Sequence, residues 1–217
     1  MKDLNKNNSC LIDTKFMFIS VMFISLMLIS NLLACKLVTI FNYTLPAGVF
    51  IYPFSFMLGD VLTELYGFKI TRKVIWTGFI VQASLVLFST IALYLPYPSY
   101  WTGQEAFKTI FMMTPQIVLG SLLAFLVGTT TNSAIMVKVK KWTKGKFLWI
   151  RTVLSTIIGE FFDSLIFVSI AFFGRMPLNA IIQMIILQII VKTLIEAAFG
   201  TPLAYMFINK FKNKKDK

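Results

Sequence analysis

FMFISVMFISLMLISNLLAC, residues 16–35, is a run of 20 residues without a single charge. Wound as a helix at 1.5 Å per residue, it matches a hydrocarbon core about 30 Å thick. Five more apolar runs follow. After a turn-like break at residues 42–46 they cover residues 45–67, 74–95, 109–137, 147–173 and 178–208. The fold class this predicts is an all-α integral membrane protein with six transmembrane helices. A single membrane domain over residues 16–209 is expected between a tail at 1–15 and a basic tail at 210–217.

Composition agrees with the runs. Hydrophobic residues make up 57% of the chain and charged residues 14%, whereas a soluble domain carries about 25% charged residues. The net charge of +12 raises the question of nucleic acid. The basic residues, however, sit in short clusters between apolar runs rather than along one groove-binding surface, so no nucleic-acid partner is expected. The two cysteines, Cys10 and Cys35, offer no disulfide framework. Histidine is absent, which leaves carboxylates to carry any proton chemistry. No metal or cofactor is expected.

Lysine and arginine set the orientation. Sixteen of them fall before span one, between spans two and three, between spans four and five, and after span six; the alternate loops hold only Lys108 and Arg175. Basic residues in short loops stay cytoplasmic, so both termini are expected inside. Tyr94, Tyr97, Tyr100 and Trp101, beside Pro96 and Pro98, read as an interfacial aromatic belt on the other side. Leu32-Leu33-Ala34-Cys35 resembles a lipoprotein cleavage box, but the run before it is longer than a signal core and more spans follow, so span one is expected to stay. Pro115 and the polar TTTNS segment at 129–133 suggest a tilt or kink in span four.

Asp60, Glu64, Glu160, Asp163 and Glu196 lie inside spans, with Lys36, Arg151 and Lys192 in or at the edge of others. A charge at mid-bilayer costs about 2.5–3.5 kcal/mol on insertion scales, so these residues should face a polar interior. Asp60 and Glu64, Glu160 and Asp163, and Lys192 and Glu196 are each three or four residues apart and share a helix face. Two readings stand side by side. The charges hold helices together, with Lys192 and Glu196 neutralising each other and Arg151 snorkelling to the interface, or the surplus of carboxylates receives protons or a cationic or N–H-rich ligand. An acidic pair recurs in spans two and five, the middle members of two groups of three, and suggests two inverted three-helix repeats with a site between them.

Two stretches carry a family likeness. One is Tyr52-Pro53-Phe54-Ser55-Phe56 with Asp60, Glu64, Tyr66 and Gly67; the other is Trp149, Arg151, Thr152, Ser155, Thr156, Gly159, Glu160, Asp163 and Ser164, with Phe167 beyond. Over about residues 30–200 the chain resembles the bacterial queuosine precursor transporters, in the vitamin uptake transporter group, whose six-span layout is similar to that of ECF substrate-binding components. Ser55 stands where the family pattern has threonine and keeps the hydroxyl.

The resemblance implies import of a 7-deazaguanine (preQ0, preQ1 or queuine) across the bacterial cytoplasmic membrane for tRNA queuosine salvage, with no enzymatic activity. A guanine-like edge presents paired N–H donors and an O6 acceptor. Glu160 or Asp163 would meet the donors, Asn132, Gln82 or Lys36 would donate to O6, and Asp60 with Glu64 would take an amine or a coupling proton. The candidate substrate-binding residues are therefore Tyr52, Asp60, Glu64, Asn132, Arg151, Glu160, Asp163 and Lys192.

Other importers remain open, for a different vitamin-like or nucleobase solute or as the binding subunit of an ECF-type transporter. The sequence contains no G-x-x-x-x-G-K-[ST] phosphate loop, so a separate energising module and a homodimer are both left open as partners. An intramembrane carboxylate enzyme is disfavoured because Leu58-Gly59-Asp60 and Phe161-Phe162-Asp163 lack a Gly-x-Gly-Asp context. The third reading is a noncatalytic anchoring subunit.

Overall fold

The computed structural model describes residues 14–40, 42–143 and 148–200, with positions 202 and 206; side chains at 132, 133, 136, 137, 140, 148–153, 155, 156 and 200 lie outside the described set. Helix α1 (Thr14–Leu33) is followed by a β-hairpin, β1 (Leu37–Ile40) and β2 (Tyr43–Pro46), and a 3₁₀ turn at Ala47–Phe50. Then come α2 (Tyr52–Tyr66), α3 (Phe68–Tyr94), the short α4 (Gln104–Phe111), α5 (Thr114–Trp142), α6 (Leu148–Phe172) and α7 (Leu178–Ile195), which continues as a π-helical turn at Glu196–Gly200. Four stretches are long and apolar enough to cross a membrane: Thr14–Leu33, Phe68–Tyr94, Gln104–Thr131 and Leu178–Phe199. This is a helical membrane protein.

The hairpin corrects the all-helical expectation. Residues 42–46 are not a bare turn, because Tyr43 to Pro46 pair antiparallel with Leu37 to Ile40, Leu37 opposite Pro46 and Ile40 opposite Tyr43. Asn42 makes the reversal at φ 66°, a left-handed conformation that asparagine tolerates better than most residues. Leu45 and Val49 are buried, and the hairpin and the turn after it pack on α1 and α7. Irregular backbone among membrane helices is tolerated where protein surrounds it; here Leu45 and Pro46 at the base of the hairpin are buried, while Thr39, Ile40 and Tyr43 at its tip are exposed.

Three boundaries also move. Span two shortens to the 15 residues of α2, with Pro53 in its first turn, where a missing N–H costs nothing. Gly67, at φ 82°, alone separates α2 from α3, so Lys69, Arg72 and Lys73 lie in the first turns of a helix rather than in a loop. Pro115 does not kink a long span four; it opens α5, and Met112 and Met113 separate it from α4.

Buried apolar side chains gather in two clusters. One joins Ile19, Phe23 and Met27 of α1 to Val61 and Leu62 of α2, Phe79 of α3 and Phe125 of α5. The other joins Ile117 and Ala124 of α5 to Val168 and Phe172 of α6, Met184 of α7, and Leu45 of the hairpin.

The α5–α6 pair is held close by small residues. Gly120, Ala124 and Gly128 recur every fourth position on α5, the spacing that lets membrane helices approach backbone to backbone. A Cβ on Gly128 would stand 3.0 Å from the Asp163 Cβ and 3.3 Å from the Gly159 carbonyl oxygen. Gly128→Leu is therefore expected to force α5 away from Asp163 and destabilise the protein by about 1–3 kcal/mol, the usual cost of overpacking. A lowered melting temperature of the detergent-solubilised protein would be the readout; an unchanged melting temperature would refute it.

Candidate functional site

The middle of α6 and the last turns of α7 bring three ionisable side chains together out of solvent. Glu160 and Asp163 are each 5% exposed and Lys192 is 2% exposed. The Lys192 ammonium lies 3.3 Å from Glu160 Oε2 and donates a short hydrogen bond to Asp163 Oδ2. Lys192 thus pairs across helices, and the expected neutralisation by Glu196 on its own helix face does not form. Glu196 sits half-buried on the π-helical turn, a distortion that rotates it relative to a regular α7.

Tyr52, at the start of α2, closes the centre from a third helix. Its hydroxyl donates to Asp163 Oδ1 at 3.1 Å, and the Lys192 ammonium stands 4.1 Å from its ring centroid. Both Asp163 oxygens are thereby engaged. Glu160 Oε2, though ion-paired, accepts no well-directed hydrogen bond. Two carboxylates against one ammonium leave a formal surplus of one negative charge in a place where charge is poorly solvated.

A narrow cavity of about 20 Å³ adjoins the centre, with Ser30, Asn31, Ser121, Gln188, Asp163 and Lys192 as polar members of a mostly apolar wall. A much larger cavity, about 420 Å³, opens between α1, α2, α3 and α5 and contains Asp60, Thr63, Arg72 and Thr129. Its size is that of a small-molecule pocket. Between the two lies a small void beside Glu160, walled by Tyr52, Phe56, Phe125 and Asp163. Phe56 and Phe125 also line the larger cavity, so these rings separate an open chamber from the charged centre.

The structure therefore brings four of the expected residues, Tyr52, Glu160, Asp163 and Lys192, into one cluster. Asp60 lies apart from them in the wall of the larger cavity, and Glu64, one turn further, is exposed. Asn132 and Arg151 stand on α5 and α6, with side chains outside the described residues. Sequence reasoning passed over Asn31 and Gln188, although a buried amide in an apolar run is as visible a signal as a charge.

The family model described as "Putative vitamin uptake transporter" matches residues 46–207, most of the chain and all four residues of the cluster. The chain belongs to this family. Among curated relatives, the chain is 31% identical over 171 residues to the "Probable queuosine precursor transporter" of Bacillus subtilis, covering 78% of this chain and 74% of that one. It is 24% identical over 176 residues to the "Queuosine precursor transporter" of Escherichia coli, covering 79% of this chain and 76% of that one. No solved structure matches the chain. The family likeness expected from the sequence is thus borne out. Asn31, on α1, lies outside the matched stretch of the chain, whereas Gln188 lies within it.

Proposed function

We propose that this protein imports queuosine precursors, 7-deazaguanines such as preQ0, preQ1 or queuine, across the bacterial cytoplasmic membrane. The observation that carries the reading is the buried Lys192–Glu160–Asp163 centre with its surplus negative charge and, beside a cavity, an ion-paired carboxylate oxygen that accepts no well-directed hydrogen bond. Such a centre suits a solute that brings N–H donors or a protonated amine, as preQ1 and queuine do. The names of the two relatives point to the same solute class.

In this reading the chain crosses the bilayer six times, with α2 and α6 joining the four apolar stretches and with the termini in the cytoplasm, as the basic clusters indicate. The two apolar clusters, one centred on α1–α3 and one on α5–α7, support a division into two three-helix halves with the site between them. The chamber at Asp60 and Arg72 then faces the cytoplasm. The narrow cavity is smaller than a purine, so loading requires a wall to shift. Apart from Ala34, just past the end of α1, the hairpin and the Ala47–Phe50 turn form the only part of that wall among the described residues that is not α-helix.

The test is uptake of radiolabelled preQ0, preQ1 and queuine by cells lacking their own synthesis and salvage. Cells expressing this chain are expected to accumulate at least one of the three. Asp163→Asn, present at equal amount in the membrane, is expected to cut uptake about tenfold or more, the worth of a charge-assisted hydrogen bond. No uptake by well-expressed protein would refute the solute class, and full activity of the variant would remove Asp163 from the site.

A further inference from the structure

Gln188 lies one turn before Lys192 on α7 and shares its face. It is 1% exposed, it lines the narrow cavity with Asp163 and Lys192, and its Oε1 has no hydrogen-bond partner. Asn31 of α1 lines the same cavity and donates through Nδ2 to Oε1 of Gln82 on α3, a short hydrogen bond. Gln82 is also 1% exposed, and its Nε2 is left without a partner. Buried polar groups are almost always hydrogen-bonded. Here an orphan acceptor stands in the cavity wall, and an orphan donor stands one residue behind it.

Amides that serve only to join helices would be expected to satisfy one another. Asn31 and Gln82 do so in part, whereas the Gln188 carbonyl is spent on no neighbouring helix. We propose that Gln188, with Asn31 on the same cavity and Gln82 behind it, reads the hydrogen-bonding edge of the solute's heterocycle, while the carboxylate–lysine centre holds its amine. The inference rests on the function proposed above and assigns its specificity. A guanine-like edge offers the 2-amino group and N1–H as donors and O6 as acceptor. The Gln188 oxygen accepts from the donor side, and Asn31, held by Gln82, supplies the donor to O6 through the second N–H of its amide. A site built to pair with a group strongly rejects the analogue that lacks it.

The experiment measures binding of two compounds to the purified, detergent-solubilised full chain: 7-aminomethyl-7-deazaguanine and its analogue without the 2-amino group. The unaltered protein is expected to prefer the amino compound about tenfold or more. Gln188→Met, close in shape and without the carbonyl, is expected to erase that preference by weakening the amino compound alone. Equal weakening of both compounds, or a preserved preference, would overturn the inference by making Gln188 a packing residue. If the methionine variant folds poorly, Gln188→Asn withdraws the amide by one methylene, and its preference is expected to fall at least about threefold; an unchanged preference overturns the inference. Failure of the unaltered protein to bind either compound overturns the inference together with the proposed solute class. Binding of both without discrimination overturns the inference alone.

Discussion

Lys192→Met is expected to destabilise the protein by about 3–5 kcal/mol, because it leaves two carboxylates buried beside each other without their shared cation. Glu160 and Asp163 are each 95% buried and both ion-pair with this one ammonium. Neither can reach solvent to recover the lost interaction. The predicted measurement is a steep fall in the monodisperse fraction and melting temperature of the purified protein.

Desolvation makes the sign of the effect depend on which partners remain. Removing all three charges at once, with Lys192→Met, Glu160→Gln and Asp163→Asn together, is expected to restore much of the lost stability, since well-packed neutral groups often replace a buried ion cluster at little cost. Transport is expected to stay lost in that triple variant. A triple variant as unstable as Lys192→Met alone would show that shape, not charge, governs the region. One that transports normally would remove the centre from the mechanism.

Gly48→Ala is the second large effect. A Cβ there would stand 2.1 Å from the Ser30 carbonyl oxygen, with Ser30 C at 3.1 Å and Ala34 N at 3.2 Å. All three are backbone atoms of the last turn of α1 and the residue that follows it, so no side chain can swing aside to make room. The Ser30 hydroxyl also donates to the Gly48 carbonyl at 3.0 Å, pinning the turn to the helix. The expected loss is about 3 kcal/mol, at the upper end of the overpacking range, with transport falling as the hairpin lifts from the cavity. Ser30→Ala removes only the hydrogen bond and is expected to cost about 1 kcal/mol. Equal melting temperatures for the two variants would show that the turn yields more easily than its contacts imply.

The site was partly legible before any fold was known. Charges in apolar runs are costly, which singled out Glu160, Asp163 and Lys192 individually, and Tyr52 came with the family likeness. Helical spacing, however, reports only neighbours on one helix. It therefore paired Lys192 with Glu196, although the ammonium reaches Glu160 and Asp163 on α6. The same spacing grouped Asp60 with Glu64; Asp60 lines the 420 Å³ cavity, and both residues are exposed.

The hairpin was hidden for a different reason. Residues 37–46 contain β-branched and aromatic residues, yet they lie between longer apolar runs, and strand pairing depends on a partner that local composition does not name. What the sequence by itself determined is the bilayer as solvent, the family, and the identity of the costly residues, because hydropathy, charge and motif spacing are local properties. Only the tertiary structure decided which carboxylates share the lysine, where Gln188 and Asn31 meet a cavity, and how Gly48 and Gly128 admit close approach. Those outcomes depend on distances between segments far apart in the chain, and no local pattern contains them.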